Sequence, residues 1–124
     1  MADNTACAGR VERLRELMAE RGYDAVILRN NPDLRWLTGA ERTFDFEVAH
    51  TAVVTATGLW LHTDSRYYNT FRERLGADCP WKIDQDVIDP ARWAAERALE
   101  ARARVVAVED TMELSFYTGL VRAL

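Results

Sequence analysis

The chain has 124 residues, enough for one domain that buries roughly two-thirds of the surface its unfolded form exposes, so it needs no disulfide framework. Apolar residues make up 48% and charged residues 29%, the balance of an ordinary globular protein, which excludes an intrinsically disordered chain. Sixteen Lys+Arg against twenty Asp+Glu leave a net charge of −4, and this argues against general nucleic-acid binding, which depends on cations neutralising phosphates.

In chain order, residues 1–8 read as a frayed N-terminal arm, and the arm is bounded at residue 9. They carry neither a basic segment nor an apolar core of the signal-peptide kind. Residues 9–21 are helical: Val11, Leu14 and Met18 recur at i, i+3 and i+7, with Arg10, Arg13, Glu16 and Glu20 on the other faces. Gly22 is placed to end that helix in a left-handed conformation. Residues 24–28 follow as a strand buried on both faces, because Ala25-Val26-Ile27-Leu28 is apolar without alternation.

Asn30-Asn31-Pro32-Asp33 is a turn that caps a short helix, with Leu34, Trp36 and Leu37 on its apolar side and Thr38-Gly39 at its end. Residues 40–47 have no clean period and read as a loop in which Phe44 and Phe46 stand among charges. Exposed aromatics in such company mark contact surfaces. Residues 50–55 and 59–63 form a hairpin about Ala56-Thr57-Gly58. Asp64 and Ser65 cap the next helix, which reaches Leu75 with Tyr67, Phe71 and Leu75 on one stripe. Residues 81–87 alternate as an edge strand. Asp89-Pro90 starts a helix to about Arg102, with Trp93, Ala94, Ala98, Leu99 and Ala101 inward. Residues 104–109 read as a second buried strand. Residues 112–124 form a last helix with Leu114, Tyr117, Leu120, Val121 and Leu124 at helical spacing. The order α-β-α-β-β-α-β-α-β-α predicts a three-layer α/β domain with a mixed sheet. The chain stops inside an apolar periodic segment, which reads as a fragment cut from something longer.

Chemistry-bearing motifs are sparse. Cys7 and Cys79 lack metal-knuckle spacing and read as small part-buried thiols in a reduced, cytoplasmic protein. The longest aliphatic runs fall far short of the roughly 20 apolar residues a membrane span needs. His50 and His62 are expected near opposite ends of paired strands, and a zinc site would need a further ligand that no spacing supplies. No Gly-x-Ser-x-Gly elbow and no glycine-rich phosphate loop occurs. Asp24, Asp64 and Asp110 lie at strand ends. A nuclease-like trio can be drawn from them only if they converge on shared cations.

Three segments together resemble the N-terminal domain of the creatinase/prolidase/aminopeptidase P family. They are the helix–strand from Arg10 to Leu28, the turn-helix Asn31-Pro32-Asp33-Leu34-Arg35-Trp36-Leu37-Thr38-Gly39, and Leu61-His62-Thr63-Asp64-Ser65-Arg66-Tyr67. The match runs from about Arg10 to the end of the chain, with Trp36 where tyrosine is usual. The resemblance implies a ribonuclease H-like, creatinase N-terminal-like α/β domain over residues 10–124 with no catalytic residue and no metal site of its own. The chemistry is expected in a C-terminal domain absent from this chain. There two divalent metals (Mn, Co or Zn), held by two Asp, one His and two Glu, activate a water against an Xaa-Pro bond. The expected partners are that catalytic domain and, in the full-length protein, a second subunit in a homodimer, with neither nucleic acid nor membrane.

The same resemblance implies that Glu41, Arg42, Phe44 and Phe46, with Asp64, Arg66 and Tyr67, contribute dimer contacts and limit substrate length. The 40–47 loop lacks the Gly/Ser-rich form usual in aminopeptidase P, which leaves the substrate open among dipeptides, longer peptides and non-peptide amides. Asp64 and Arg66 also have a structural reading, as a helix cap and a planar fork for a carboxylate or helix-end carbonyls. The alternatives are a stand-alone small-molecule or protein-binding module of the same fold, or the N-terminal domain of a creatinase-like amidinohydrolase.

Overall fold

Ten elements alternate along the chain in the expected order, and the computed structural model describes residues 4–40, 48–76 and 78–124. They are α1 (Asn4–Arg21), β1 (Ala25–Leu28), α2 (Asn31–Thr38), β2 (Thr51–Thr55), β3 (Leu59–His62), α3 (Ser65–Leu75), β4 (Lys82–Asp84), α4 (Pro90–Glu100), β5 (Val106–Val108) and α5 (Leu114–Ala123). The strands form one sheet in the order β4-β3-β2-β1-β5. β1, β2 and β3 are antiparallel neighbours, while β4 and β5 join the two sides in parallel, so the sheet is mixed.

Strand periodicity divides the core into two layers. Val26, Ala52, Val54 and Leu61 point to one face, where they meet Val11 and Met18 of α1, Leu34 and Leu37 of α2, and Phe71 and Leu75 of α3. Ile27 and Val53 point to the other face, against Trp93 and Ala94 of α4 and Phe116 and Leu120 of α5. The helix ends follow local rules. Asn30, Asp64 and Asp89 accept main-chain amides at the starts of α2, α3 and α4. Gly22 and Gly39 take φ of +73° after α1 and α2, a conformation that costs a Cβ-bearing residue.

Several expectations are corrected. The frayed arm gives way at Asn4, where α1 begins, because Cys7 extends the Val11–Met18 stripe by one turn. Cys7 is fully buried, and its Sγ accepts the Trp81 indole N–H at 3.3 Å. β4 is three residues long rather than seven, and Val87 is fully exposed. In α4, Leu99 and Ala101 face solvent. Ala91 and Ala95 take the inward places because α5 packs there, so close that a Cβ on Gly119 would lie 3.1 Å from that of Ala91. β5 is an edge strand, not a buried one. In α5 the buried residues are Phe116 and Leu120, while Leu114, Tyr117, Val121 and Leu124 are exposed.

Candidate functional site

Two places collect polar side chains at the carboxyl end of β1. The first is the start of α3. Asp64 sits in extended backbone, and its Oδ1 accepts the Arg66 amide at 2.9 Å. The Arg66 guanidinium folds back on the same carboxylate, with Nη2 donating to Oδ2 at 2.8 Å and Nε to both oxygens at 3.2 Å. Arg66 beside it holds the Asp64 carboxyl below its usual range. The guanidinium also lies 5.1 Å from the Tyr67 ring centroid. Tyr67 is half-buried and meets the edge of His50 at 4.7 Å. His50 is itself buried, with Nδ1 2.9 Å from Thr63 Oγ1 and a second edge contact to Phe71. Asp64, Arg66 and Tyr67 are thus brought together, and they lie against the residue by which the chain enters β2. Glu41, Arg42, Phe44 and Phe46 lie outside the described residues.

The second place was not found in the sequence. β1 and β5 are parallel neighbours, but the chain leaves β1 for α2 on one face and β5 for α5 on the other. A crevice opens at such a switch point. Here it has a volume of about 340 Å³ and is lined by Arg29, Asn30, Pro32, Glu109, Thr111 and Glu113, among others. Arg29 is buried. Its guanidinium donates to Glu113 Oε2 at 2.9 Å and Thr51 Oγ1 at 2.9 Å, and lies 4.3 Å from the Phe116 ring centroid. Glu109 accepts the main-chain amides of Arg29 and Asn30, the latter at 3.0 Å, so its carboxylate occupies the positive start of α2.

Burial, together with a hydrogen bond to the Asp33 carboxyl, pushes the Glu109 carboxyl up to about 7. Arg29 holds the Glu113 carboxyl down. The crevice is therefore lined by the chain's own carboxylates, which tie the ends of β1 and β5 to the starts of α2 and α5. The one signal for it in the sequence is the placement of Arg29 and Glu109 directly after two aliphatic runs.

The remaining candidates separate. His50 and His62 lie at the same end of the hairpin rather than at opposite ends, because Thr51 pairs with His62. They point to opposite faces, His50 toward Tyr67 and His62 stacked on Trp93 at 4.8 Å. Asp24 precedes β1 and accepts the amides of Arg104 and Val105, whereas Asp64 and Asp110 follow β3 and β5 at the far end of the sheet. The three carboxylates do not converge on a shared cation. Among the described residues no group of three His, Cys, Asp or Glu side chains is arranged to hold a metal, and no helix is long and apolar enough to cross a membrane.

These features define a three-layer α/β domain whose polar clusters serve as caps and ties. The description "Creatinase/Prolidase N-terminal domain" matches residues 10–124, and the chain belongs to that family. Over 115 residues it is 33% identical to a protein of Colletotrichum graminicola named "Probable Xaa-Pro aminopeptidase P", covering 84% of this chain and 18% of the relative. The fold matches an Xaa-Pro aminopeptidase structure from Streptococcus pyogenes with a TM-score of 0.81 at 24% identity, over 98% of this chain and 88% of that one. It also matches an Xaa-Pro dipeptidase from Bacillus anthracis with a TM-score of 0.80 at 21% identity, over 95% of this chain and 31% of that one. The chain therefore spans less than a fifth of the curated relative.

Proposed function

We propose that this chain is the non-catalytic N-terminal domain of a metal-dependent, cytoplasmic Xaa-Pro peptidase of aminopeptidase P or prolidase type. In this reading it packs on its own catalytic domain and on a second subunit, and it shapes the path by which substrate reaches the reaction centre. The observation that carries the reading is the family match over residues 10–124, supported by the relative named as an aminopeptidase P. The two divalent metals (Mn, Co or Zn) belong to the catalytic domain.

The access role falls to Glu41, Arg42, Phe44 and Phe46, with Asp64, Arg66 and Tyr67 at the start of α3. The contacts of Tyr67 with His50, and of His50 with Phe71, support it, because they hold the entry to β2 against α3, beside Asp64 and Arg66. Arg66 remains exposed enough to meet a second chain. Two assays test the reading. The 124-residue chain, supplied with manganese, is expected to give no turnover of Xaa-Pro peptides, and cleavage above the blank would refute it. In the full-length protein, Arg66→Ala is expected to change KM for longer peptides more than for dipeptides, with kcat little altered. Identical KM values for both lengths in the variant and the parent would remove the access role.

A further inference from the structure

We propose that the cavity between the carboxyl ends of α1 and α4 is a binding site for a phosphate monoester, held by Arg15 and Arg102. The two helices close with the same hydrogen-bonded motif. After α1, the Gly22 amide donates to the Ala19 carbonyl and the Tyr23 amide to that of Met18. After α4, the Arg102 amide donates to the Leu99 carbonyl and the Ala103 amide to that of Ala98. The motif sets one residue in the left-handed conformation, with φ of +73° at Gly22 and +57° at Arg102. Glycine is the ordinary occupant, because a Cβ is strained at such a φ. Among the described residues Arg102 is the sole non-glycine with a positive φ. A strained residue that glycine could replace points to a use for its side chain.

That use is not internal. Among the described residues the Arg102 guanidinium donates to no carboxylate and no carbonyl. Arg102 is exposed, and it lines a cavity of about 310 Å³ together with Arg15, Tyr23, Asp24 and Thr57. Arg15 is held in place from the sheet. Its Nε donates to the Thr55 carbonyl at 2.8 Å and its Nη2 to the Gly58 carbonyl at 3.1 Å, which ties α1 to the turn between β2 and β3. Asp24 is the carboxylate of the lining, and its Oδ2 already accepts the amides of Arg104 and Val105 at 2.8 and 2.9 Å. Two guanidinium charges thus border the cavity against one carboxylate that is engaged elsewhere, and the net charge favours an anion.

The donors select the kind of anion. Carbonyls occupy the side of the Arg15 guanidinium that carries Nε, so the donor it keeps for a ligand is Nη1. Arg102 and Thr57 stand on separate elements, the end of α4 and the β2–β3 turn, so they reach the cavity from other sides. Donors spread in this way suit the three oxygens of a phosphate better than the single plane of a carboxylate. Met18 and Ala101 make part of the lining apolar, which suits the organic part of an ester. The cavity lies at the opposite end of the sheet from Asp64, since Thr55 pairs with Ala25 while Thr51 pairs with His62. The site is therefore independent of the access role.

The test is an NMR titration of the 124-residue chain with phenyl phosphate, inorganic phosphate and succinate at matched ionic strength, following main-chain amides and arginine Nε–Hε signals. Saturable shifts are expected at Thr57, Ala101, Arg102 and the Arg15 Nε. Phenyl phosphate should bind about threefold more tightly than inorganic phosphate and about tenfold more tightly than succinate. Arg102→Gly keeps the helix end and relieves its strain, so it should raise Tm while weakening phenyl phosphate about tenfold. Saturation that survives Arg102→Gly overturns the proposal, as do shifts that grow linearly with all three anions. Succinate that binds as tightly as phenyl phosphate overturns the assignment to a phosphate. A lower Tm in Arg102→Gly also overturns it, because the side chain would then serve the fold.

Discussion

The two arginine–carboxylate clasps at the carboxyl end of β1 share a chemistry and differ in everything else. Arg66 and Asp64 are two residues apart, and both side chains stand largely in water. Arg29 and Glu113 are 84 residues apart, and the arginine side chain is only 9% exposed. The first pair forms as soon as α3 does and carries little stability, because water competes for both partners. The second exists only when β1 and α5 are packed side by side. Once the guanidinium is out of water it must keep its partners, so this pair fixes the relation of elements that the chain order leaves free.

The sharpest way to break the comparison is to remove each arginine. Arg29→Met should destabilise the fold by about 3 kcal/mol, since it strips the donor from Glu113 and from the buried Thr51 hydroxyl. Chemical denaturation reads this directly. A loss no larger than that of a surface pair would show that the buried clasp is merely decorative.

The next effect is one of pH, and Glu109 and Asp64 respond with opposite sign. Glu109, beside the buried clasp, has its carboxyl raised from 4.5 to about 7, so the folded chain holds a proton that the unfolded chain releases. Stability from this source is complete below about pH 4.5 and is lost as the pH rises through about 7. Asp64 is held below its usual 3.8, so its contribution is present above that value and fades as the pH falls through the folded one. Thermal melts across this range should show Tm falling toward neutral pH in the parent. In Glu109→Gln that slope should flatten, and an equal slope in both would place the titration elsewhere.

The smallest effect is expected at the exposed clasp. Arg66→Ala should cost well under about 1 kcal/mol in denaturation. A larger loss would mean that Arg66 supports Tyr67 and the His50 contact as well as pairing with Asp64.

Local order was legible because it depends on neighbours a few residues away. The cap at Asp64, the proline start after Asp89, the glycine stop at Gly22 and the hairpin between Thr55 and Leu59 follow from side chains that act on their own backbone. Arg66 was legible as a fork for some carboxylate or helix-end carbonyl, and the structure gives it Asp64 itself. The arginine–glutamate crevice was not, since Arg29, Glu109 and Glu113 mean little until two strands far apart in sequence lie next to each other.

The apolar content of α5 and β5 was equally plain in the sequence, but its destination was not. Periodicity counts the apolar residues of a helix without saying which arc meets the sheet. In α5 the choice fell on Phe116 and Leu120 because α4 approaches at Gly119. An unbroken aliphatic run such as Val105-Val106-Ala107-Val108 reads as a central strand, yet its place at the edge is set by what pairs beside it. The sequence by itself determined the elements, their caps and the family. The tertiary structure alone decided which apolar faces are buried and which carboxylates meet, because burial and ion pairing depend on contacts between residues that local sequence does not relate.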